Sequence, residues 1–574
     1  MGEILGADVL LKCLIKEGVR YIFGIPGDQW NPFLNAIYRF GRDEGIEFIM
    51  TRHEQAAANM ADAWARVTGE VGVCLGTVGP GAANLVSGVY PAWADSIPVL
   101  ALTAQNQTWR SYPDHGSMQA LDHLHLFKAV TKWNAVVSCW ERIPELVQRA
   151  FRVATSGRPG PVHLDFPADV LFATGDEEEI LILSPERYRA TVPPTGDKNL
   201  IERAAEMLVE AEKPLIHAGG GVLRSGAWDE LKELAEYLSS PVTTSVGARG
   251  SIPEDHPLCL IPASYGALGA QAVADVVLLV GGRLGDTDFW GRPPAWGEPE
   301  VQKLIQIDID GANIALNRRV DLAIIGDAKS TLSEILREVK RRTARREERP
   351  DLADYREAQD AWLSSFLELG ASEEIPIHPL RLIKDVREFF PRDAISCVDG
   401  GNTAVWAHYL NRIYEPRTFL WPSDSGHLGT GLPYAIGAKL ARPDVPVYAI
   451  CGDGAFMLSV QELETARRLN LPVVIVVAND RAWGMIKGSQ MLNYDSCYIG
   501  VDFSDVRYDK VAEAMGCYGE RVEEPSQIKP ALRRAVDSGL PAVLDVVIDS
   551  EANLNPPDLE TLSGLWLEGC ELPW

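Results

Sequence analysis

Short apolar runs alternate with stretches of helical periodicity along nearly the whole chain. The runs at 71–75 (VGVCL) and 99–103 (VLALT) carry no polar face. A strand without a polar face is buried on both sides, and helices between such strands predict a parallel sheet covered by helices. Residues 1–185, which close on GRPGPVHLDFP, form a first unit of this kind. Residues 196–340 form a second, where KPLIHAGGG, VADVVLLVGGRLG and KLIQIDID each read as an apolar strand entering a turn. Strands at 394–398, 445–450, 473–478 and 542–548 define a third unit over 376–549. Between the last two, 341–375 is charged and helix-prone with a break at Pro350, which predicts a surface connector. A tail, 550–574, follows the final strand. The fold class is therefore α/β, with three doubly wound parallel-sheet domains and a C-terminal tail.

The first and third units share a local pattern without sharing residues. AAANMADAWARVTGEVGVCLGTVGPGAANL in one and GLPYAIGAKLARPDVPVYAICGDGAFML in the other both run small-residue helix, turn, strand, glycine turn. Small residues let a helix approach its neighbour closely. Glycines after the strands let a ligand approach the backbone at the carboxyl ends. Two similar domains suit one ligand held between them.

Composition narrows the function. At 574 residues, 46% hydrophobic and 23% charged, the chain has the balance of a soluble multidomain protein. The net charge of -26 repels polyanions and excludes nucleic acid as the expected partner. No apolar run spans a bilayer, and the opening residues interleave Glu3, Asp8, Lys12, Lys16 and Glu17 with apolar ones, so neither a membrane nor a signal peptide is expected and the setting is cytoplasmic. Nine dispersed cysteines, with no CxxC pair, read as reduced thiols.

The chemistry concentrates in the third unit. One strand runs into Gly452-Asp453-Gly454-Ala455 and another ends in Asn479-Asp480-Arg481-Ala482. Two hard oxygen donors at neighbouring strand ends can share a small cation, and Mg²⁺ takes few protein carboxylates while completing its shell with phosphate and water. GDG followed by ND at this distance resembles the signature of the thiamine-diphosphate enzymes, and the resemblance extends over nearly the whole chain. It implies that Asp453, Asp480 and the Ala482 carbonyl hold Mg²⁺, and that Gly454 and Ala455 offer N–H groups to the diphosphate.

The same resemblance names the three units pyrimidine-binding, central and diphosphate-binding domains, and carries further residues over. Asn402 and Thr403, in DGGNT, would grip phosphate. In SGHLGTGLP, Gly426 would offer a carbonyl to the aminopyrimidine, with His427 beside it and Leu428 wedged beneath the bent cofactor; alone, Leu428 would read as ordinary packing. Pro26, Gly27 and Thr77 in the first domain, with Gly452, Trp483, Gly484 and Met485 in the third, complete the cofactor contacts. In Arg52-His53-Glu54-Gln55, Glu54 opens a small-residue helix, where an acid ordinarily only complements the helix dipole. The family places at this position the glutamate that hydrogen-bonds N1' of the aminopyrimidine, and a carboxylic acid there promotes removal of the C2 proton. Glu54 and Asp453 lie in different domains, and the family sets them in different subunits, so a homodimer is the minimal expected unit and a homotetramer the common assembly.

For the reaction, Gly27-Asp28 resembles the pyruvate decarboxylase loop, but Asp114-His115-Gly116 stands where those enzymes have adjacent histidines, and Ile486 stands where they have an acid. Asp28 and His115 remain catalytic candidates. HGSMQALDHLHLFKAVTKWNAVV resembles the acetolactate synthase segment with a Phe-Gln pair, here Met118-Gln119, and Gln119 is a candidate to bond the reacting intermediate. That family has a tryptophan where Ser489 stands, which implies a wider acceptor pocket. The apolar tail, with tryptophans, resembles the cover of 2-hydroxyacyl-CoA lyases and oxalyl-CoA decarboxylases that closes over a CoA thioester. The favoured expectation is a 2-hydroxyacyl-CoA lyase releasing formyl-CoA and a carbonyl compound. An acetolactate synthase-like carboligase acting on pyruvate or another 2-oxo acid comes next, and a 2-oxo acid decarboxylase third. The central domain's glycine turns fit ADP, CoA, FAD or no nucleotide. A non-catalytic nucleotide-binding relative should have lost Glu54 or the GDG/ND pair; this chain keeps both.

Overall fold

The structure is a computed structural model and describes residues 2–557 and 559–566. It contains three parallel sheets of six strands each. The first is built from Tyr21–Gly24, Glu47–Met50, Gly72–Gly76, Val99–Gln105, Trp133–Val136 and Val162–Pro167. Numbered in chain order, these strands lie side by side as 2-1-3-4-6-5. The third sheet, from Ile395–Asp399, Phe419–Leu420, Val447–Gly452, Val474–Asn479, Tyr518–Val522 and Ala542–Val547, has the same order. The shared local pattern thus reflects one topology used twice. The central sheet runs 3-2-1-4-5-6, the order of a dinucleotide-binding fold.

Register places the turns. In the third sheet Asp399 pairs with Cys451, Gly452 with Ala478 and Asn479 with Val547, so the DGG, GDG and ND turns leave their strands side by side. In the first sheet Gly24 pairs with both Met50 and Leu75, and Gly76 with Thr103. The Pro26-Gly27 loop, the Arg52-His53-Glu54 turn and the Thr77 turn emerge together for the same reason.

Helix Glu54–Thr68 packs on helix Gly431–Ala441, and one apolar core runs through both domains from Phe23 and Ala57 to Tyr434 and Val477. A Cβ on Gly437 would stand 2.6 Å from the Met60 carbonyl oxygen, and one on Gly88 would stand 2.3 Å from that of Gln55. The small residues of these helices do serve close approach.

The connector differs from a plain surface segment. Asp351–Leu369 is a 19-residue helix whose Leu352, Trp362 and Leu363 are buried, the last two in the third domain's core. Its Tyr355 carbonyl lies 2.2 Å from where a Gly266 Cβ would stand, so it also seals the central domain. Sparse apolar positions among many charges hid that buried stripe. Among the described residues, no helix is long and apolar enough to cross a membrane, and the described cysteines are free thiols.

Candidate active site

The residues expected to hold the diphosphate lie at the carboxyl edge of the third sheet, on a cleft of about 1290 Å³. Asn402, Thr403, Gly426, Leu428, Gly452, Asp453, Gly454, Ala455, Asp480, Ala482, Trp483, Gly484 and Met485 all line it. His427 does not; its Nε2 lies 3.1 Å from the Gln55 amide nitrogen, at the contact between domains, where burial lowers its pKa. Glycine is required at position 454, because a Cβ there would stand 2.7 Å from the Trp483 ring. Asp399 sits beneath the floor, 1% exposed, accepting the N–H groups of Gly429 at 3.2 Å and Gly431 at 2.8 Å. Burial pushes its carboxyl up to about 7. It holds the segment that carries Gly426 and Leu428.

Asp453 and Asp480 are 1% and 8% exposed. Asp453 accepts the N–H of Gly454 at 2.7 Å and of Arg481 at 2.8 Å. The Gly454 N–H, expected to face a phosphate, is thus taken by the carboxylate beside it in this structure. Burial first, and the neighbouring Asp480 second, raise the Asp453 pKa; burial likewise raises that of Asp480. Two adjacent buried acids disfavour double ionisation, and a divalent cation relieves that cost. Among the described residues no group of three or more His, Cys, Asp or Glu side chains forms a metal site. An ion here would take its remaining ligands from carbonyl, phosphate or water oxygens, as Mg²⁺ prefers. Asn402 Oδ1, buried at the cleft wall, has no hydrogen-bond partner. The residues present fit a diphosphate with its cation.

The residues expected to meet the pyrimidine gather at the edge of the first sheet. Glu54 is 6% exposed at the first position of its helix, and its Oε2 accepts the Asn84 amide at 3.0 Å. Gly27 has no room for a side chain, since a Cβ would fall 2.1 Å from Thr77 Oγ1. Pro26 and Asp28 are exposed beside it. Gln119 is exposed with φ +62, and its carbonyl lies 2.4 Å from the position of a Gly79 Cβ. A buried network supports that segment: the Gly79 N–H donates to His123 Nε2 at 3.1 Å, and His123 Nδ1 lies 2.9 Å from Asp165 Oδ1. His115 is exposed on the Asp114 turn, where Asp114 accepts the Gly116 and Ser117 N–H groups.

None of Glu54, Pro26, Gly27, Thr77, Asp28, His115 or Gln119 lines the cleft that holds Asp453. Its opposite wall comes instead from the central domain, with Gly219, Gly220, Gly281, Gly282, Arg283 and Asp308. Arg283 bonds Asp424 at 2.5 Å, tying the central domain to the segment before Gly426. Glu462 of the third domain, 0% exposed, accepts the Arg52 N–H at 3.0 Å and braces the Glu54 turn.

Two residues of the site escaped sequence reasoning. Asn84 stands one turn into helix Pro80–Ala94, and a polar side chain among small ones after GPG was its only signal. Asn553 lines the cleft and donates to Asp480 Oδ2 at 2.6 Å, yet follows the last strand in an unremarkable DSEAN.

Three family descriptions match: thiamine pyrophosphate enzyme, N-terminal TPP binding domain, at residues 4–126; central domain, at 201–335; and C-terminal TPP binding domain, at 399–546. The chain is 38% identical over 570 residues to a probable acetolactate synthase large subunit of Methanocaldococcus jannaschii, covering 95% of this chain and 92% of that one. It is 31% identical over 583 residues to acetolactate synthase isozyme 3 large subunit of Escherichia coli, covering all of both. An acetolactate synthase of Mycobacterium bovis is 32% identical over 573 residues, with 96% and 90% covered. With both cofactor-binding domains and the central domain matched in order, the chain belongs to the thiamine pyrophosphate enzyme family.

Proposed function

We propose that this enzyme is an acetolactate synthase-like carboligase, which breaks the bond between the carbonyl and carboxylate carbons of pyruvate or another 2-oxo acid, releases CO2, and joins the remaining acyl unit to a second carbonyl compound. The observation that carries the reading is similarity along nearly the whole chain to proteins bearing that name, at 38% identity for the Methanocaldococcus relative. When bound, thiamine diphosphate supplies a nucleophilic carbon that attacks the carbonyl. Asp453 and Asp480 would hold Mg²⁺ against the diphosphate, with the Ala482 carbonyl as a third ligand. Gly426 and Leu428 orient the pyrimidine end, and Glu54 supplies and takes back a proton at N1'. Gln119 meets the substrate from the exposed edge of the first sheet. The active unit is a homodimer in which Glu54 of one subunit completes the cleft of the other.

The 2-hydroxyacyl-CoA lyase reading rests on the tail as a lid. Residues 567–574 of that tail lie outside the described residues, and the described helix Leu559–Trp566 packs on helix Gly484–Asn493 of its own domain. The carboligase is therefore preferred. Turnover is tested with pyruvate, with pyruvate plus 2-oxobutyrate, and with a 2-hydroxyacyl-CoA, each with and without thiamine diphosphate and Mg²⁺. Carboligation of 2-oxo acids that needs both additions is expected. Cleavage of the acyl-CoA without carboligation would overturn the proposal.

A further inference from the structure

Asn553 ends the short helix Ser550–Asn553, which follows the last strand of the third sheet. That helix is held at its start: Asp549 caps it by accepting the Glu551 N–H at 2.9 Å and the Ala552 N–H at 3.1 Å. The Asp549 N–H in turn donates to the Ile377 carbonyl at 2.9 Å. The anchored helix delivers Asn553 to the cleft at 4% exposure.

Each polar group of its side chain is used. Nδ2 donates to Asp480 Oδ2 at 2.6 Å, and Oδ1 accepts the Trp406 indole N–H at 2.9 Å. The backbone carbonyl accepts the Asn402 amide at 2.6 Å. Asn402 and Trp406 belong to helix Asn402–Leu410 and Asp480 to the turn after strand Val474–Asn479, so one residue from beyond the last strand joins the two. Space around the contact is tight, because a Cβ on Gly484 would stand 2.8 Å from Asp480 Oδ2 and 2.9 Å from Asn553 Nδ2. The other carboxylate oxygen of Asp480 takes the Ala482 N–H at 3.3 Å.

We infer that Asn553 is a positioning residue for Asp480, orienting that carboxylate toward its ion and latching the start of the carboxyl-terminal segment to the diphosphate half of the site. A neutral amide suits the place: it donates to a carboxylate and accepts from an indole without adding a third negative charge beside Asp453 and Asp480. Mg²⁺ demands near-ideal octahedral geometry, so a carboxylate free to rotate binds it less well. Partners that orient a ligand typically contribute about 10–100-fold to metal affinity. The inference rests on Asp453 and Asp480 being the ion's ligands.

The test is a calorimetric titration of Mg²⁺ into the full-length protein with thiamine diphosphate present. Asn553→Ala should raise the Mg²⁺ dissociation constant by about 10–100-fold, with kcat at saturating Mg²⁺ much less affected. Trp406→Phe removes the bond to Oδ1 but keeps the donor to Asp480, and should leave Mg²⁺ affinity near the parental value while lowering Tm. Should Asn553→Ala not fold, Asn553→Ser carries the same expectation, its hydroxyl being one bond shorter than the amide. Parental Mg²⁺ affinity in the Asn553 variant, or an equal loss in Trp406→Phe, would overturn the inference. Asp453→Ala separates the two levels: loss of Mg²⁺ binding there beside unchanged binding in Asn553→Ala refutes only the role of Asn553. Retained binding in Asp453→Ala refutes the ion site itself.

Discussion

Glu54, proposed to exchange a proton with the cofactor, sits at the buried start of a helix, with Asn84 on one carboxylate oxygen and the Glu462-bound Arg52 turn behind it. Glu54→Gln keeps the shape and the Asn84 contact but cannot supply a proton. Exchange of the C2 proton of bound thiamine diphosphate, followed by NMR, should slow on the order of 10²-fold, while Mg²⁺ and cofactor affinity hold. Parental exchange would remove Glu54 from the proton path. Residues of this kind were legible in the sequence when a motif surrounded them: GDG, ND, RHEQ and SGHLGTG each name a turn. Asn84 and Asn553 were not, because a single amide has no pattern of its own and gains its role only from a partner 30 or 73 positions away.

Among elements, strands buried on both faces read directly from the chain, since Val99–Gln105 and Val474–Asn479 have no polar side to conceal them. The edge strands Trp133–Val136 and Tyr518–Val522 did not, because most of their positions are half-buried and mix polar with apolar residues. Small-residue helices announced close packing, but only the structure tells which glycine lies at the contact. Gly437→Ala would drive a methyl group into backbone, 2.6 Å from the Met60 oxygen, and should cost about 1–3 kcal/mol in denaturant unfolding. Gly269, in the equally small-residue helix Tyr265–Val273, has nothing closer than the Tyr355 ring at 3.9 Å. Gly269→Ala should be neutral or stabilise by up to about 1 kcal/mol through helix propensity. Equal effects at the two glycines would mean that the first and third domains do not depend on this helix contact.

At the scale of the whole molecule, the residues expected to meet the pyrimidine do not line the cleft lined by those expected to hold the diphosphate. The cleft with Asp453 is walled by the chain's own central domain, and Glu54 does not reach it. Pro26 and Asp28 in one segment and Gln119 in another are all exposed. In the proposed two-fold dimer each site would take Glu54 from one subunit and Asp453 from the other. That arrangement has a consequence that an intrachain site cannot imitate. Glu54→Gln and Asp453→Ala homodimers each have both sites damaged, but a heterodimer of the two collects both lesions in one site and leaves the other intact. Random assortment makes half the dimers mixed, with one good site in each, so co-expressed variants should show about a quarter of parental carboligation where either alone shows almost none. If both groups came from the same chain, every site in the mixture would still carry one lesion. Activity no greater than that of the separate variants, with heterodimers confirmed by differential tags, would place the active site within one subunit.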